Sequence, residues 1–177
     1  MRFKLREVLR LGLLSGCLLA LGHTLAMGSP VSAQGEGVYF SPGGGVEETI
    51  VKHLAVAQKE ILVAMYTLTS RRLSQALVQA KGRGVDIRVL VGQSPAQERF
   101  SKFGYLSGNG IKVKLAQPEK GLMHHKFAII DRRVVLTGSY NWTASAEEYN
   151  HENLLVLKAV DVVGSYIQEF ERLWRRY

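Results

Sequence analysis

The stretch His124-His125-Lys126-Phe127-Ala128-Ile129-Ile130-Asp131, followed by Gly138-Ser139-Tyr140-Asn141, decides how this chain is read. As a pattern it is H-x-K-x4-D-x6-G-S-x-N. The apolar runs on either side of Asp131-Arg132-Arg133 predict a β-hairpin, His125 to Ile130 and Val134 to Leu136. Side chains alternate faces along a strand, so His124 and Lys126 share one face while His125, Phe127 and Ile129 take the other. A neutral imidazole is a competent nucleophile or base near neutral pH, and a lysine on the same face can clamp a phosphate oxygen. Ser139 and Asn141 can donate hydrogen bonds to developing charge, and Gly138 gives the backbone room to approach. These are the residue types that attack a phosphodiester without a metal. Asp131 has the opposite parity and sits at the turn, so within this catalytic set its expected part is structural or orienting. A histidine nucleophile needs its second ring nitrogen held. Glu152, at the head of the apolar strand Glu152 to Leu157, is the expected partner.

The H-x-K-x4-D portion alone would arise by chance in about one chain in a hundred. G-S-x-N at its fixed offset lowers that by several orders of magnitude, so the constellation is read together. Working outward, Val38 to Phe40 reads as a short strand and Val46 to Gln58 as an amphipathic helix. Ile61 to Leu68 is an apolar run fit for a buried strand. Ser70 is placed to cap a helix through Ala80, ended by Gly82 and Gly84. Val85 to Val91 follows as a strand, Ala96 to Leu106 as a helix, and Ile111 to Leu115 as a strand. Thr143 to Tyr149 reads as a short helix. The closing helix, Asp161 to Trp174, is expected to turn Val162, Ile167, Phe170 and Trp174 inward. Helices and strands alternate first and hairpins come later, which predicts an α/β fold with a mixed β-sheet flanked by helices. No internal repeat is visible, so the motif occurs once.

The chain has 177 residues and a net charge of +8. Length and apolar content argue for one domain of ordinary core size. Residues 1–33 are expected to stand apart from it. Arg2, Lys4, Arg6 and Arg10 form a basic start, Leu11 to Leu21 is nearly all apolar, and Val31-Ser32-Ala33 offers small residues for a signal peptidase. That order predicts a signal peptide, hence a periplasmic or secreted protein, with residues 34–177 as the catalytic domain. An uncleaved N-terminal anchor is the second reading, and lipid modification at Cys17 the third. Cleavage would remove four basic residues and Glu7, leaving a charge of +5. Cys17 is the only cysteine, so the mature chain would hold no disulfide and no thiolate metal site. His53, His124, His125 and His151 show no HExxH or facial-triad spacing, and Gly43 to Gly45 is not followed by GK[ST]; no metal and no cofactor are expected. His53, between Lys52 and Leu54, is expected at the surface.

The segment His124 to Asn141 resembles the HKD motif of the phospholipase D superfamily, and Phe40-Ser41-Pro42 and Glu152-Asn153 resemble that family's pattern as well. The chain is similar to the single-motif branch, which includes the EDTA-resistant bacterial endonuclease and the mitochondrial cardiolipin hydrolase. The resemblance implies a phospholipase D/nuclease fold with one motif per chain. It implies a site assembled by a homodimer across a two-fold axis. His124 would be nucleophile in one subunit and general acid in the other. Lys126 and Asn141 would bind phosphate, Ser139 would support the phosphate site or the motif's geometry, and Glu152 would orient His124. Tyr140, Trp142 and Tyr149 are candidates for the dimer contact, the core or a base-stacking wall. The expected activity is a metal-independent endonuclease on DNA or RNA, favoured by the basic charge and by Lys120, Arg132 and Arg133 near the motif. A phospholipase D-type lipid hydrolase uses the same chemistry but would want an apolar rim, where the 116–123 loop offers only Leu122 and Met123. A non-catalytic nucleic-acid binder is the third reading.

Overall fold

The computed structural model describes residues 35–92 and 101–177. The expected signal peptide or anchor, Cys17 and the start of the helix expected from Ala96 lie outside the described residues. The elements run β1 (Gly37–Ser41), α1 (Val46–Val56), β2 (Glu60–Met65), α2 (Arg71–Gly82), β3 (Asp86–Gly92), α3 (Phe103–Gly108), β4 (Lys112–Ala116), β5 (Lys126–Ile130), β6 (Val134–Gly138), α4 (Ala144–Glu148), β7 (Glu152–Leu157) and α5 (Val160–Arg176). The strands form one mixed sheet in the order β1-β7-β6-β5-β2-β3-β4. β2, β3 and β4 are parallel, joined by helical crossovers, while β5, β6, β7 and β1 are antiparallel. Among the described residues no helix is long and apolar enough to cross a membrane.

Each face of the sheet has its own core. On one face α1 and α2 bury Ile50, Leu54, Leu73 and Leu77 against Ile61, Val63, Ala128 and Ile130. On the other, α5 lays Val163, Phe170 and Leu173 over Leu62, Ala64, Phe127 and Ile129. β2 and β5 are thus apolar on both sides, which is why they read as continuous apolar runs. Val162, expected inward, is only half-buried, and Val163 takes the core position one residue on. The Ser70 hydroxyl caps α2 as expected, accepting from the Leu73 N–H at 3.1 Å. Arg88, on the polar side of β3 by its alternation, is covered by α5. Its guanidinium bridges Glu60 at 3.0 Å and Glu171 at 2.7 Å and lies 5.3 Å from the Phe170 ring centre. His53 is buried, not at the surface: it is 4% exposed, with its Nδ1 2.8 Å from the Thr49 carbonyl one turn earlier. It lies three residues after Ile50 and so falls on the inward stripe of α1, where burial lowers its pKa.

Two residues with positive φ, Asp131 at 51° and Arg132 at 54°, close the β5–β6 hairpin, and the Arg133 N–H donates to the Ile130 carbonyl at 2.9 Å. That is the turn whose twist matches a two-residue hairpin connection, and aspartate tolerates its left-handed backbone better than most residues. The Asp131 carboxylate accepts from three successive backbone N–H groups, Gln58 at 2.9 Å, Lys59 at 2.7 Å and Glu60 at 2.9 Å. It therefore ties the hairpin turn to the start of β2. Asp131, grouped with the catalytic set in a structural or orienting part, lies apart from the reactive groups. Four residues of strand, five steps or roughly 17 Å, separate it from Lys126, and its oxygens are occupied by backbone. Arg132 and Arg133, expected near the motif's chemistry, lie at this same far turn, where Arg132 pairs with Glu60 at 2.9 Å and Glu171 at 3.2 Å.

Burial pushes the Asp131 carboxyl up, but the N–H groups of Glu60, Gln58 and Lys59 outweigh it and hold the pKa below its usual value of 3.8. A depressed carboxylate stabilises the fold fully above the unfolded value, and that contribution is lost as pH falls through the lower, folded value. Asp131→Ala should cost about 2 kcal/mol by stranding backbone donors at a strand end. Denaturant titration at pH 7 and at pH 3 measures it, and the variant's deficit should narrow at the lower pH.

Candidate active site

The motif residues gather at the carboxyl ends of β2 and β3, where the amino end of β5, the exit of β6 and the entry of β7 meet. Open α/β sheets bind ligands outside the carboxyl ends of their parallel strands. β5 lies antiparallel to β2 with Lys126 opposite Met65, and the Tyr66 N–H donates to the His125 carbonyl at 2.8 Å. This carries His124 one step past the strand pairing, into solvent at the sheet edge. The His124 ring sits against Tyr66, ring centres 4.4 Å apart. The Lys126 ammonium lies 3.1 Å from Nδ1 and 3.2 Å from Nε2 of the same ring, and donates to the His124 carbonyl at 2.9 Å. The expected parity is thus observed. His125 turns the other way, edge-on to Phe127 at 5.5 Å, with Nε2 3.2 Å from the Glu169 carboxylate.

Desolvation at the sheet edge, then the charge of Lys126, then that of His125, lower the His124 pKa below the ordinary value of 6.5. The imidazole is therefore neutral at neutral pH, the form with a free electron pair. Burial likewise lowers the Lys126 pKa, while the Glu152 carboxylate acts against it. Two hydrogen-bonded brackets hold the rest. In the first, the Ser139 hydroxyl donates to Glu152 Oε2 and accepts from the Asn153 N–H at 3.1 Å, while the Ser139 N–H donates to Asn153 Oδ1 at 3.2 Å. Gly138 is required here: at φ 153° a Cβ would lie 2.2 Å from the Asn153 carbonyl oxygen. In the second, Asn141 Oδ1 accepts from the Thr67 N–H at 3.2 Å, and the Trp142 backbone trades bonds with Thr67, Thr69 and Ser70. With its oxygen taken, the Asn141 amide keeps its NH2 for a ligand.

Two expectations change. Glu152 makes no hydrogen bond to His124 within the chain; its oxygens accept from Ser139 and, at 3.0 Å, from Asn150 Nδ2. Of the two parts expected of Ser139, support of the phosphate site or of the motif's geometry, its commitment to Glu152 and Asn153 favours the second. Tyr140 and Trp142 are core residues, each 2% exposed, and the Tyr140 hydroxyl donates to Glu147 at 3.0 Å; Tyr149 alone of the three aromatic candidates is exposed. Sequence reading missed Tyr66 and Gly92. Tyr66 stood inside an apolar run, and its one signal was a polar aromatic where Leu or Val would serve. Gly92 ends β3 where a Cβ would meet Tyr66 and the Met123 carbonyl within 2.9 Å, so its lack of a side chain lets these two segments close on the site. Among the described residues no three His, Cys, Asp or Glu side chains come together as a metal-ion cluster.

Comparison with known proteins identifies the family and the fold. A family model described as cardiolipin synthase, PLD-like domain, matches residues 50–174. The mitochondrial cardiolipin hydrolase of Xenopus tropicalis is 40% identical over 121 residues, covering 68% of this chain and 57% of that protein. A phospholipase D of Rickettsia bellii is 32% identical over 131 residues, covering 74% and 65%. This chain thus spans less than two thirds of either relative's length. The crystal structure of Nuc from Salmonella typhimurium, a phospholipase D family member, superposes with a TM-score of 0.74 at 28% identity, covering 80% of this chain and 94% of that one. NucT from Helicobacter pylori shares the fold, with a TM-score of 0.73 at 23% identity, covering 80% and 96%.

The lowered His124 pKa gives a direct expectation. Histidine proton resonances followed by NMR should show His124 titrating below 6.5. Replacing Lys126 with Met removes one of the charges that depress it and should move that titration upward. A His124 midpoint above 6.5 in the unaltered protein would contradict the electrostatic account.

Proposed function

The chain belongs to the phospholipase D-like family, and on that premise we propose that it is a metal-independent phosphodiesterase acting on nucleic acid. The observation that carries this reading is the His124 imidazole held against the Lys126 ammonium, 3.1 Å away, at the open end of the central strands. A ring nitrogen of His124 attacks phosphorus. The P–N bond forms as the P–O bond to the leaving oxygen breaks, and Lys126 and the Asn141 NH2 take up charge on the non-bridging oxygens. The leaving oxygen needs a proton; Lys126 is engaged with the non-bridging oxygens, and among the described residues no second imidazole shares the face of His124, since His125 turns to Phe127 and Glu169. A second copy supplies the proton: the partner's His124, which takes up a proton once the phosphate anion lies between the two rings, gives that proton to the leaving group and then takes one from the water that cleaves the P–N bond. One neutral and one charged imidazole form a coupled pair across a two-fold axis. Tyr149, 73% exposed beside the site, is available to that contact.

The nuclease reading is preferred to lipid hydrolysis for the lining of the cleft beside His124: among the described residues it carries Lys120, Arg172 and Arg176, with Leu122 as its exposed apolar side chain. The similarity to the cardiolipin hydrolase and the phospholipase D described above keeps the lipid reading as the competing one. Export of a mature domain starting at Gln34 belongs to the same proposal.

His124→Ala should lose turnover by on the order of 10⁴-fold or more while keeping nucleic-acid binding. The assay uses plasmid and single strands in EDTA, beside cardiolipin vesicles. Cleavage only on adding a divalent cation, or unchanged cleavage by His124→Ala, would overturn the mechanism. Sedimentation of the active protein should give a dimer; full activity in a monomer would overturn the shared site.

A further inference from the structure

A cleft of about 400 Å³ opens directly beside His124, between the 118–125 segment and the last turns of α5. Its lining includes His124 and His125, and three cations converge on it: Lys120 from the loop and Arg172 and Arg176 from the helix. Arg172 is held in place by Glu169, its Nε and terminal nitrogen donating to the two carboxylate oxygens at 2.7 and 2.8 Å. Glu169 also meets His125, so one carboxylate sits among the three cations and the cleft keeps a positive surplus. Leu122, 56% exposed, is the large apolar side chain it shows to solvent.

The scissile diester carries one negative charge, and Lys126 with the Asn141 amide already answers it. Three further cations in a cleft continuous with His124 are in excess for a substrate with a single phosphate. They suit a substrate with a second phosphate a short distance from the first, which a nucleic-acid strand and the paired diesters of cardiolipin both present, so the apolar rim decides between the two. A lipid with several acyl chains would need a broad apolar rim, and Leu122 is too little.

We propose that Lys120, Arg172 and Arg176 form a second phosphate subsite that seats the phosphate neighbouring the scissile one in a single-stranded nucleic acid. The inference rests on the nuclease reading above and deepens it. Arg176 and Lys120 are free of the Glu169 clamp and act as direct phosphate contacts; Arg172, fixed by Glu169, presents its remaining donors from a set position. The strand then runs along the cleft from the α5 end toward His124.

The test uses the full chain in its native assembly, with Arg176→Gln, Lys120→Gln, their double variant and the charge-keeping Arg176→Lys. Three probes are compared: a fluorescent oligothymidylate, bis(p-nitrophenyl) phosphate as a lone diester, and cardiolipin vesicles. The double variant should lose about tenfold or more in oligonucleotide affinity beyond any loss in kcat/KM on the lone diester. Its salt dependence of binding should flatten by roughly 0.7 in slope per cation removed, and Arg176→Lys should recover most of the single variant's loss. Equal losses on oligonucleotide and lone diester, an unchanged salt slope, or a loss confined to vesicle binding would overturn the subsite. If the oligonucleotide binds through these cations but is never cut, the subsite stands and the nuclease reading falls. If it is cut and the variants bind it like the unaltered protein, the nuclease reading stands and the subsite falls.

Discussion

The register of β5 against β2 is the constraint on which the site depends. Ile61 lies opposite Ile130 and Met65 opposite Lys126. Side chains alternate with a period of two, so a slip of one residue would send Lys126 to the α5 face and Phe127 toward the site. Both strands are buried on both sides, so apolar pattern alone resists such a slip weakly. The Asp131 carboxylate supplies the missing specification: bonded to three consecutive amides at the start of β2, it fixes one end of the pairing. The four-residue spacing between Lys126 and Asp131 is then the length of one strand, with reactive groups at one end and the pin at the other. An aspartate that never nears the phosphate can be as necessary to the motif as the histidine that does.

At the reactive end the same economy recurs. Gly138, Ser139 and Asn153 close on one another so tightly that the backbone of β6 and β7 has no freedom there. Asn141 is oriented by Thr67, and the adjoining Trp142 backbone is sewn to the segment leading into α2. Against this floor His124 stands at the surface, where desolvation first and the Lys126 charge second lower its pKa, with no carboxylate of its own chain bonded to the ring. Glu152 is occupied by Ser139 and Asn150. The proposed reaction therefore asks for a second copy chiefly as a source of the acid.

Much of this was legible in the sequence because it rests on local periodicity. The parity of His124 and Lys126, the Ser70 cap, the hairpin turn at Asp131 and the mixed sheet all follow from spacing within a dozen residues. What was not legible depends on contacts distant in the chain. His53 looked superficial between Lys52 and Leu54, yet the sheet covers it. Arg132 and Arg133 looked close to the chemistry because they are close in sequence; a strand's length carries them to the opposite end. Arg172 and Arg176 looked remote, and α5 returns them to the cleft beside His124. Tyr66 offered only its polar ring inside an apolar run, and its place against His124 follows from the pairing of β5 with β2. Ser139 and Glu152 were assigned separate duties, whereas their hydrogen bond makes them one bracket.

The proposed attack by His124 on phosphorus is most directly tested by trapping the intermediate. Rapid mixing of the protein with a nucleic-acid substrate, an alkaline quench that preserves phosphoramidate bonds, and peptide mass spectrometry would locate the covalent adduct. The account predicts a phosphoryl-linked fragment on His124 and on no other residue. An adduct on His125, or complete turnover with no adduct on any histidine, would contradict it.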